Sequence, residues 1–244
     1  VCSEKIDLKS ERMAAEGIHV IAKPIGPSCN LRCEYCFYLE KHRLFPQDEQ
    51  YRMSDRVLSA FIANYISSQP TPVVEFVWQG GEPTLLGLDF FRRVVELERS
   101  LGAAKTITNS LQTNGTLITD EWCSFLKKEN FMVGISLDGP REVHDRYRRD
   151  RKGHGTFDPV MRGLKLLKKH GVEYNVLACV ARDTARRPLE VYRFFRDELG
   201  ARYVQFIPIV ERDNETGNQK GEKVTARTVP SESYGRFLIE IFDE

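Results

Sequence analysis

Half of the six cysteines of this chain lie in one run of eight residues, Cys29-Asn30-Leu31-Arg32-Cys33-Glu34-Tyr35-Cys36. Thiolates in a C-x3-C-x2-C pattern can converge on one point from a single short loop, because little chain has to be closed to bring them together. A disulfide framework belongs to short secreted chains, whereas three crowded thiols in a 244-residue chain whose first ten residues carry charges where a secretory signal would be apolar point to metal or redox chemistry in a reducing compartment. The number of sulfurs matters. A structural zinc site is normally closed by four ligands and a [4Fe–4S] cluster by four cysteines, so three leave one metal position open for another group. The alternative is zinc, with His42 as a fourth ligand six residues after Cys36. Cys123 and Cys179 stand in apolar helix and strand contexts, where free cysteine acts as a small buried hydrophobe.

Further polar groups sit where β-rich runs end. After residues 73–78 comes Gln79-Gly80-Gly81-Glu82-Pro83, whose paired glycines let the backbone pass close to a ligand while Pro83 stiffens the exit. Taken alone this is also ordinary turn chemistry, and Glu82 would then be a solvated turn carboxylate. Gln112-Thr113-Asn114-Gly115 ends in an Asn-Gly pair that favours a turn. Ser136-Leu137-Asp138-Gly139 follows the next run. Arg148 lies in 141–152, a stretch with six basic and three acidic residues. Its planar guanidinium suits a carboxylate, while the competing reading is a solvated basic face. That stretch lacks the aromatic interleaving of a single-strand nucleic-acid platform, so no nucleic-acid partner is expected. His144 and His154 read as loop residues and His170 as a helix-end residue, suited to caps or surface; Trp78 and Trp122 read as core.

The elements that must hold these groups alternate short β-rich runs with longer amphipathic segments, the pattern of a parallel sheet with crossover helices. Strands are expected over 18–22, 73–78, 105–112, 131–137, 172–180 and 203–207. Helices are expected over 54–67 with Ser54 as N-cap, 89–99, 120–128, 157–170 with Gly171 as a left-handed stop, 188–199, and from Pro230 onward. Six such units fit an α/β partial (β/α)6 barrel, and a doubly wound open sheet is the other solution. In both folds, ligands sit at the C-terminal strand ends. The one linker-like stretch is 211–225, polar and rich in Asn, Gly and Lys.

Composition narrows the class. A hydrophobic fraction of 41% supports a sizeable core, and 36 basic against 35 acidic residues, net +1, exclude a polybasic arm or acidic tail as the organising feature. No apolar run approaches the roughly 20 residues of a membrane span. A soluble, cytoplasmic protein with no membrane partner is expected.

The cysteine run, with Tyr35 just before its third cysteine, resembles that of the radical S-adenosylmethionine (SAM) superfamily, and Gly80-Gly81-Glu82-Pro83 resembles that superfamily's GGEP motif. The resemblance implies a partial barrel in which Cys29, Cys33 and Cys36 hold three irons of a [4Fe–4S] cluster whose fourth iron is chelated by SAM. It places Gln79, Gly80, Gly81 and Glu82 at the SAM amino group, and Ser136 and Arg148 at its carboxylate and ribose. Tyr35 and Val210 would lie near adenine, and Tyr38, Gln112 and Asn114 near substrate.

Longer strings, CNLRCEYCFYLEK at 29–41, FVWQGGEPTLLGLDFF at 76–91, SLQTNGTLI at 110–118, VGISLDGP at 133–140 and QFIP at 205–208, look like those of the anaerobic sulfatase-maturating enzymes. That resemblance implies oxidation of a cysteine or serine of a sulfatase to Cα-formylglycine, with a flavodoxin or ferredoxin as reductant. Residues 1–210 would form the radical SAM domain, and 211–244 a linker and the start of a helix leading to a missing SPASM domain. Auxiliary [4Fe–4S] clusters and the general base are expected only in that missing part. A peptide maturase of the SPASM type that forms thioether or side-chain crosslinks is the alternative enzyme, and a zinc-stabilised binding module the alternative outside enzymes.

Overall fold

Six parallel strands run in the order β1 (Ile21–Ala22), β2 (Val73–Trp78), β3 (Thr106–Thr113), β4 (Met132–Ser136), β5 (Tyr174–Val180) and β6 (Val204–Pro208). This computed structural model describes residues 17–39, 41–44, 51–212 and 222–244. Cys2, the charged start of the chain, most of the linker-like stretch and the His42 side chain lie outside the described residues. Spatial order follows chain order without a reversal. A doubly wound sheet reverses at a switch point, so the strands are wound in one sense, as in a barrel, and β1 and β6 remain as edges. Among the described residues, no helix is long and apolar enough to cross a membrane.

The crossovers are α1 (Asp55–Ser68), α2 (Leu88–Leu101), α3 (Asp120–Lys128), α4 (Arg141–Tyr147), α5 (Phe157–Lys169) and α6 (Pro188–Arg193), the last extended by a π-helical turn over Phe194–Glu198; α7 (Ser231–Asp243) follows β6. Local chemistry sets their ends. The Ser54 hydroxyl accepts from Val57 N–H, and Thr119 does the same for Trp122 at the start of α3. Gly171, at φ +64°, ends α5 as Val172 N–H donates back to Leu167 C=O at 3.0 Å.

The core lies between one face of the sheet and the helices. Val74, Phe76 and Trp78 alternate inward along β2 against Phe90, Phe91 and Val94 of α2. Phe76 and Trp78 stack 5.9 Å apart, and Phe61 of α1 meets both edge-on. Phe237 of α7 is fully buried beside Phe206 of β6.

Two sequence expectations need correction. The first strand pairs only through Ile21 and Ala22, because Ile18 is held outside the ladder. Its N–H donates to Gln69 Oε1, and its C=O accepts from Gln69 Nε2 and Tyr65 OH. His144 is not a loop residue: it lies in α4 and is fully buried.

Beneath the sheet, the Glu98 carboxylate is 4% exposed and accepts from Asn109 Nδ2 at 2.8 Å, while Asn109 Oδ1 accepts from Trp78 Nε1. The other Glu98 oxygen has no partner among the described residues, and burial pushes the Glu98 pKa up to about 7. The folded pKa exceeds the ordinary value, so this group's contribution is fully present below about pH 4.5 and is lost as pH rises through about 7. Glu98→Gln should therefore flatten stability between pH 5 and pH 8 and stabilise the alkaline side by roughly 2–3 kcal/mol. Urea unfolding across that range measures it, and an unchanged pH slope would show that the carboxylate does not titrate there.

Candidate functional site

The segment that leaves β1 carries the three thiols and has no regular structure, so its backbone groups are bonded to its neighbours. Gly81 N–H donates to Gly26 C=O and Glu82 N–H to Ser28 C=O, both at 2.8 Å. On the other flank, Arg32 N–H donates to Arg149 C=O at 2.8 Å and Glu34 N–H to Tyr147 C=O at 2.9 Å. Arg151 donates to Cys29 C=O through both Nε and a terminal nitrogen. Gly81 has a steric basis: a β-carbon there would stand 1.9 Å from Ser28 O, a backbone atom. The stretch 141–152 is thus no free solvated face, since part of it clasps the cysteine loop.

Glu82 is 1% exposed, which excludes a solvated turn carboxylate. One oxygen accepts from Thr84 N–H (3.1 Å), Thr84 OH (2.6 Å) and Thr113 OH (2.7 Å), and the other from Asn114 N–H (2.7 Å). Burial raises its pKa from the ordinary range while these donors pull it back. The carboxylate thereby ties the end of β2 to that of β3. Asn114 extends the tie: its Nδ2 donates to Asn30 Oδ1 at 2.9 Å and lies 3.7 Å from Cys29 Sγ, while Gly115 takes φ +75° in the Asn-Gly turn.

A cavity of about 300 Å³ opens where these ends meet. Every sequence-derived candidate lines it: Cys29, Cys33 and Cys36; Tyr35, Gln79, Gly80, Gly81, Glu82, Ser136, Arg148 and Val210; Tyr38, Gln112 and Asn114. Gln112 Nε2 donates to Ser136 Oγ at 3.0 Å. The Tyr38 ring lies tilted against Phe37 at 4.2 Å under the Lys23 ammonium, and its buried hydroxyl has no partner among the described residues. A larger cavity of about 600 Å³ shares Phe37 and Tyr38 and runs toward the start of α1, but it holds none of the thiols. Donor chemistry, not volume, identifies the site.

Two wall residues carry more than the sequence suggested. Asp138, 2% exposed, accepts from Tyr35 OH at 2.5 Å and Arg148 Nε at 3.0 Å on one oxygen and from Cys179 N–H at 2.9 Å on the other. Its signal, an aspartate two residues after Ser136 at a strand end, was present but had no named partner. Cys179 is half-buried and faces the cavity; its thiol lies 3.9 Å from an Arg148 nitrogen, so it is no buried core filler. Cys123 is fully buried as expected.

His144 supports this wall. Burial lowers its pKa well below the ordinary value, and the neutral ring fits one chain of bonds: Asp138 N–H donates to Nδ1 (3.3 Å), Nε2 contacts Thr156 Oγ1 (3.1 Å), and Thr156 OH donates to Arg148 C=O (2.9 Å). Burial by itself would lower the Arg148 pKa, but the Asp138 carboxylate beside it holds the guanidinium well above its ordinary range.

Burial pushes the Cys29 thiol up to about 11 and Cys33 to about 12, the latter against the pull of Arg148; Cys36 is also raised by burial. The free thiols therefore hold their protons at neutral pH, and binding a cationic metal group would release them. Among the described residues, no three His, Cys, Asp or Glu side chains are gathered tightly enough to close on a single metal ion. The fit to a cluster rests on the donor set: three thiols on one loop facing one cavity, with Cys179 on β5 a fourth thiol of that cavity whose neighbour is Arg148.

An open parallel barrel whose strand ends surround a thiol-lined cavity defines an α/β protein with its ligand site at the C-terminal strand ends. The family described as "Radical SAM superfamily" matches residues 24–195, and the chain belongs to that superfamily. It is similar to the serine-type anaerobic sulfatase-maturating enzyme of Bacteroides thetaiotaomicron, 44% identical over 94% of this chain and 58% of that protein. It is likewise similar to the cysteine-type enzyme of Clostridium perfringens, 38% identical over 93% of this chain and 60% of that protein. Among solved structures, "Native anSMEcpe with bound AdoMet and Cp18Cys peptide" superposes with a TM-score of 0.80 at 38% identity, covering 92% of this chain and 58% of that one. The chain thus spans just under three-fifths of the curated relatives it matches.

Two glycine variants test the clasp. Gly81→Ala should cost at least about 2 kcal/mol, the scale of forced overpacking, and lower iron uptake on reconstitution. Gly235→Ala, in α7 with nothing within 4 Å of the added carbon, should stabilise by about 0.5–1 kcal/mol through helix propensity. Thermal unfolding and iron analysis separate the two, and a stable, iron-replete Gly81→Ala protein would show that the close approach is not needed.

Proposed function

We propose that this chain is the radical SAM core of a sulfatase-maturating enzyme, a protein-modifying oxidoreductase that converts a cysteine or serine of a sulfatase to Cα-formylglycine. The observation that carries the reading is the convergence of the Cys29, Cys33 and Cys36 thiols with Glu82, Ser136 and Arg148 on one cavity, in a chain similar to both serine- and cysteine-type enzymes. The three thiols would hold a [4Fe–4S] cluster. When bound, the cluster and SAM supply reductive cleavage of a sulfonium bond and a hydrogen-abstracting 5′-deoxyadenosyl group.

The chain's own residues bind, orient and shield. Gln79, Gly80 and Gly81 bring backbone close to the ligand, and the buried Glu82 charge favours its amino group. Arg148 spends Nε on Asp138 and has one terminal nitrogen 3.9 Å from Cys179 Sγ, a weak acceptor, so its terminal nitrogens would pair a ligand carboxylate in the cavity that Ser136 also lines. Tyr35 and Val210 flank the adenine. Leu177, Ile207 and Ile209 form an apolar wall that limits water. Tyr38, Gln112 and Asn114 face the substrate polypeptide.

Residues 1–210 would form this core, with 211–244 leading toward the additional length of the relatives. The general base and auxiliary [4Fe–4S] clusters would belong to that length. A cytoplasmic setting and a flavodoxin or ferredoxin as reductant complete the reading.

Anaerobic reconstitution with iron and sulfide, then dithionite and SAM, with and without Cys-x-Pro-x-Arg and Ser-x-Pro-x-Arg peptides, tests it. Formation of 5′-deoxyadenosine stimulated by one of the peptides is expected, with the aldehyde detected by mass spectrometry in the full-length protein. A cluster-loaded protein that makes no 5′-deoxyadenosine would overturn the assignment. Cys29→Ala, Cys33→Ala and Cys36→Ala should each lose the cluster absorbance and cleavage together, while Cys123→Ala keeps both. Cleavage retained in any of the three removes that residue from the ligand set.

A further inference from the structure

The Asp138 carboxylate touches the cysteine loop, the β5 wall and Arg148 at once. Tyr35, between the second and third thiols of the run, donates its hydroxyl to Oδ2, and Arg148 Nε donates to that same oxygen. Cys179 N–H of β5 fills the other oxygen. The Arg148 guanidinium also lies over the Tyr35 ring, 5.5 Å from its centroid. Asp138 and Arg148 are 2% and 8% exposed, so little water competes for these contacts. Behind them, the neutral His144 and Thr156 fix the Asp138 N–H and the Arg148 C=O. A shared acceptor of this kind cannot let one donor move without disturbing the other.

Building on the radical SAM reading, we propose that Asp138 is a positioning residue. It locks Tyr35 to Arg148, so that the loop carrying the thiols and the arginine facing the ligand are set as one unit, and its negative charge offsets Arg148 beside Cys33. Two effects follow from one carboxylate. Loss of the lock frees the guanidinium to rotate and weakens capture of the ligand carboxylate. Loss of the charge leaves Arg148 uncompensated next to the thiols, which favours the reduced, more negative state of a cluster held there.

The test uses the full-length protein, loaded anaerobically, with three variants: Asp138→Asn, Tyr35→Phe and the double variant. The readouts are iron content, thermal stability, equilibrium binding of SAM, and the cluster midpoint potential followed by electron paramagnetic resonance. Asp138→Asn should weaken SAM binding at least about tenfold, the scale of one lost charge-assisted hydrogen bond, and shift the midpoint potential upward. Tyr35→Phe, which removes the bond and keeps the charge, should weaken binding by a smaller factor and leave the potential in place. The double variant should bind about as poorly as Asp138→Asn alone, because both substitutions break one unit.

Unchanged binding and potential in an iron-replete Asp138→Asn protein would overturn the proposal, as would strictly additive effects in the double variant. If Asp138→Asn does not fold, Tyr35→Phe decides: normal SAM affinity in that variant is then the overturning result. Wild-type protein that binds no SAM would instead remove the radical SAM reading itself.

Discussion

Three thiols on an irregular loop are useful only if the loop is held still, and nearly everything near the site follows from that constraint. A helix satisfies most of its own backbone and a strand pairs with its neighbours in the sheet; a loop must borrow donors and acceptors. Here the loans come from two sides. The Gly81–Glu82 backbone grips 26–28, and the segment after α4 grips 32–34 and the Cys29 carbonyl. The grip on the first side requires an approach that no β-carbon permits, and this explains why glycine stands there in chemical terms that turn propensity does not supply. Glu82 then uses its oxygens to fasten the next strand end to the same place.

Buried charge is the second consequence. Taking a carboxylate and a guanidinium out of water costs several kcal/mol each unless geometry and further hydrogen bonds offset it. Asp138 and Arg148 meet that condition, since the carboxylate receives three donors from separate elements. Surface pairs such as Arg92 with Asp89 and Glu121 are exposed, and contribute little by comparison. A pair like Asp138–Arg148 adds less to net stability than to uniqueness: it specifies one arrangement of α4, β5 and the loop.

The legible parts of the sequence were those where one local rule dominated. Ser54 capping α1, Gly171 ending α5 and the strand over 73–78 all appear as the pattern predicts. The winding sense was not legible, because the periodicity of a β/α unit is the same in a barrel and in a doubly wound sheet; only strand order decides it. α4 was hidden for a different reason. It is seven residues long, buries only Val143, His144 and Tyr147, and sits in a run of charge that reads as solvent-facing. Asp138 and His144 were missed with it, since their meaning depends on partners 103 and 12 residues away. Candidate residues of the cavity could be listed from motifs, but the bonds among them could not.

The polar face of the sheet shows why the barrel stays open. In a closed eight-stranded barrel, the inward positions are filled by layers of branched apolar side chains and form a packed core. Here Gln112, Gly134 and Asn175 are register partners on β3, β4 and β5, with Ser136 and Leu177 one level above. Gln112 and Ser136 pair with each other, and Asn175 Oδ1 is buried without a partner among the described residues, so this face lacks the apolar layers of a packed barrel core. The opposite face carries the apolar burden instead, through Phe76, Trp78 and the helices outside. The same alternation that packs the sheet from without therefore leaves Gln112 and Ser136 on its inner face, where they line the cavity together with the thiols.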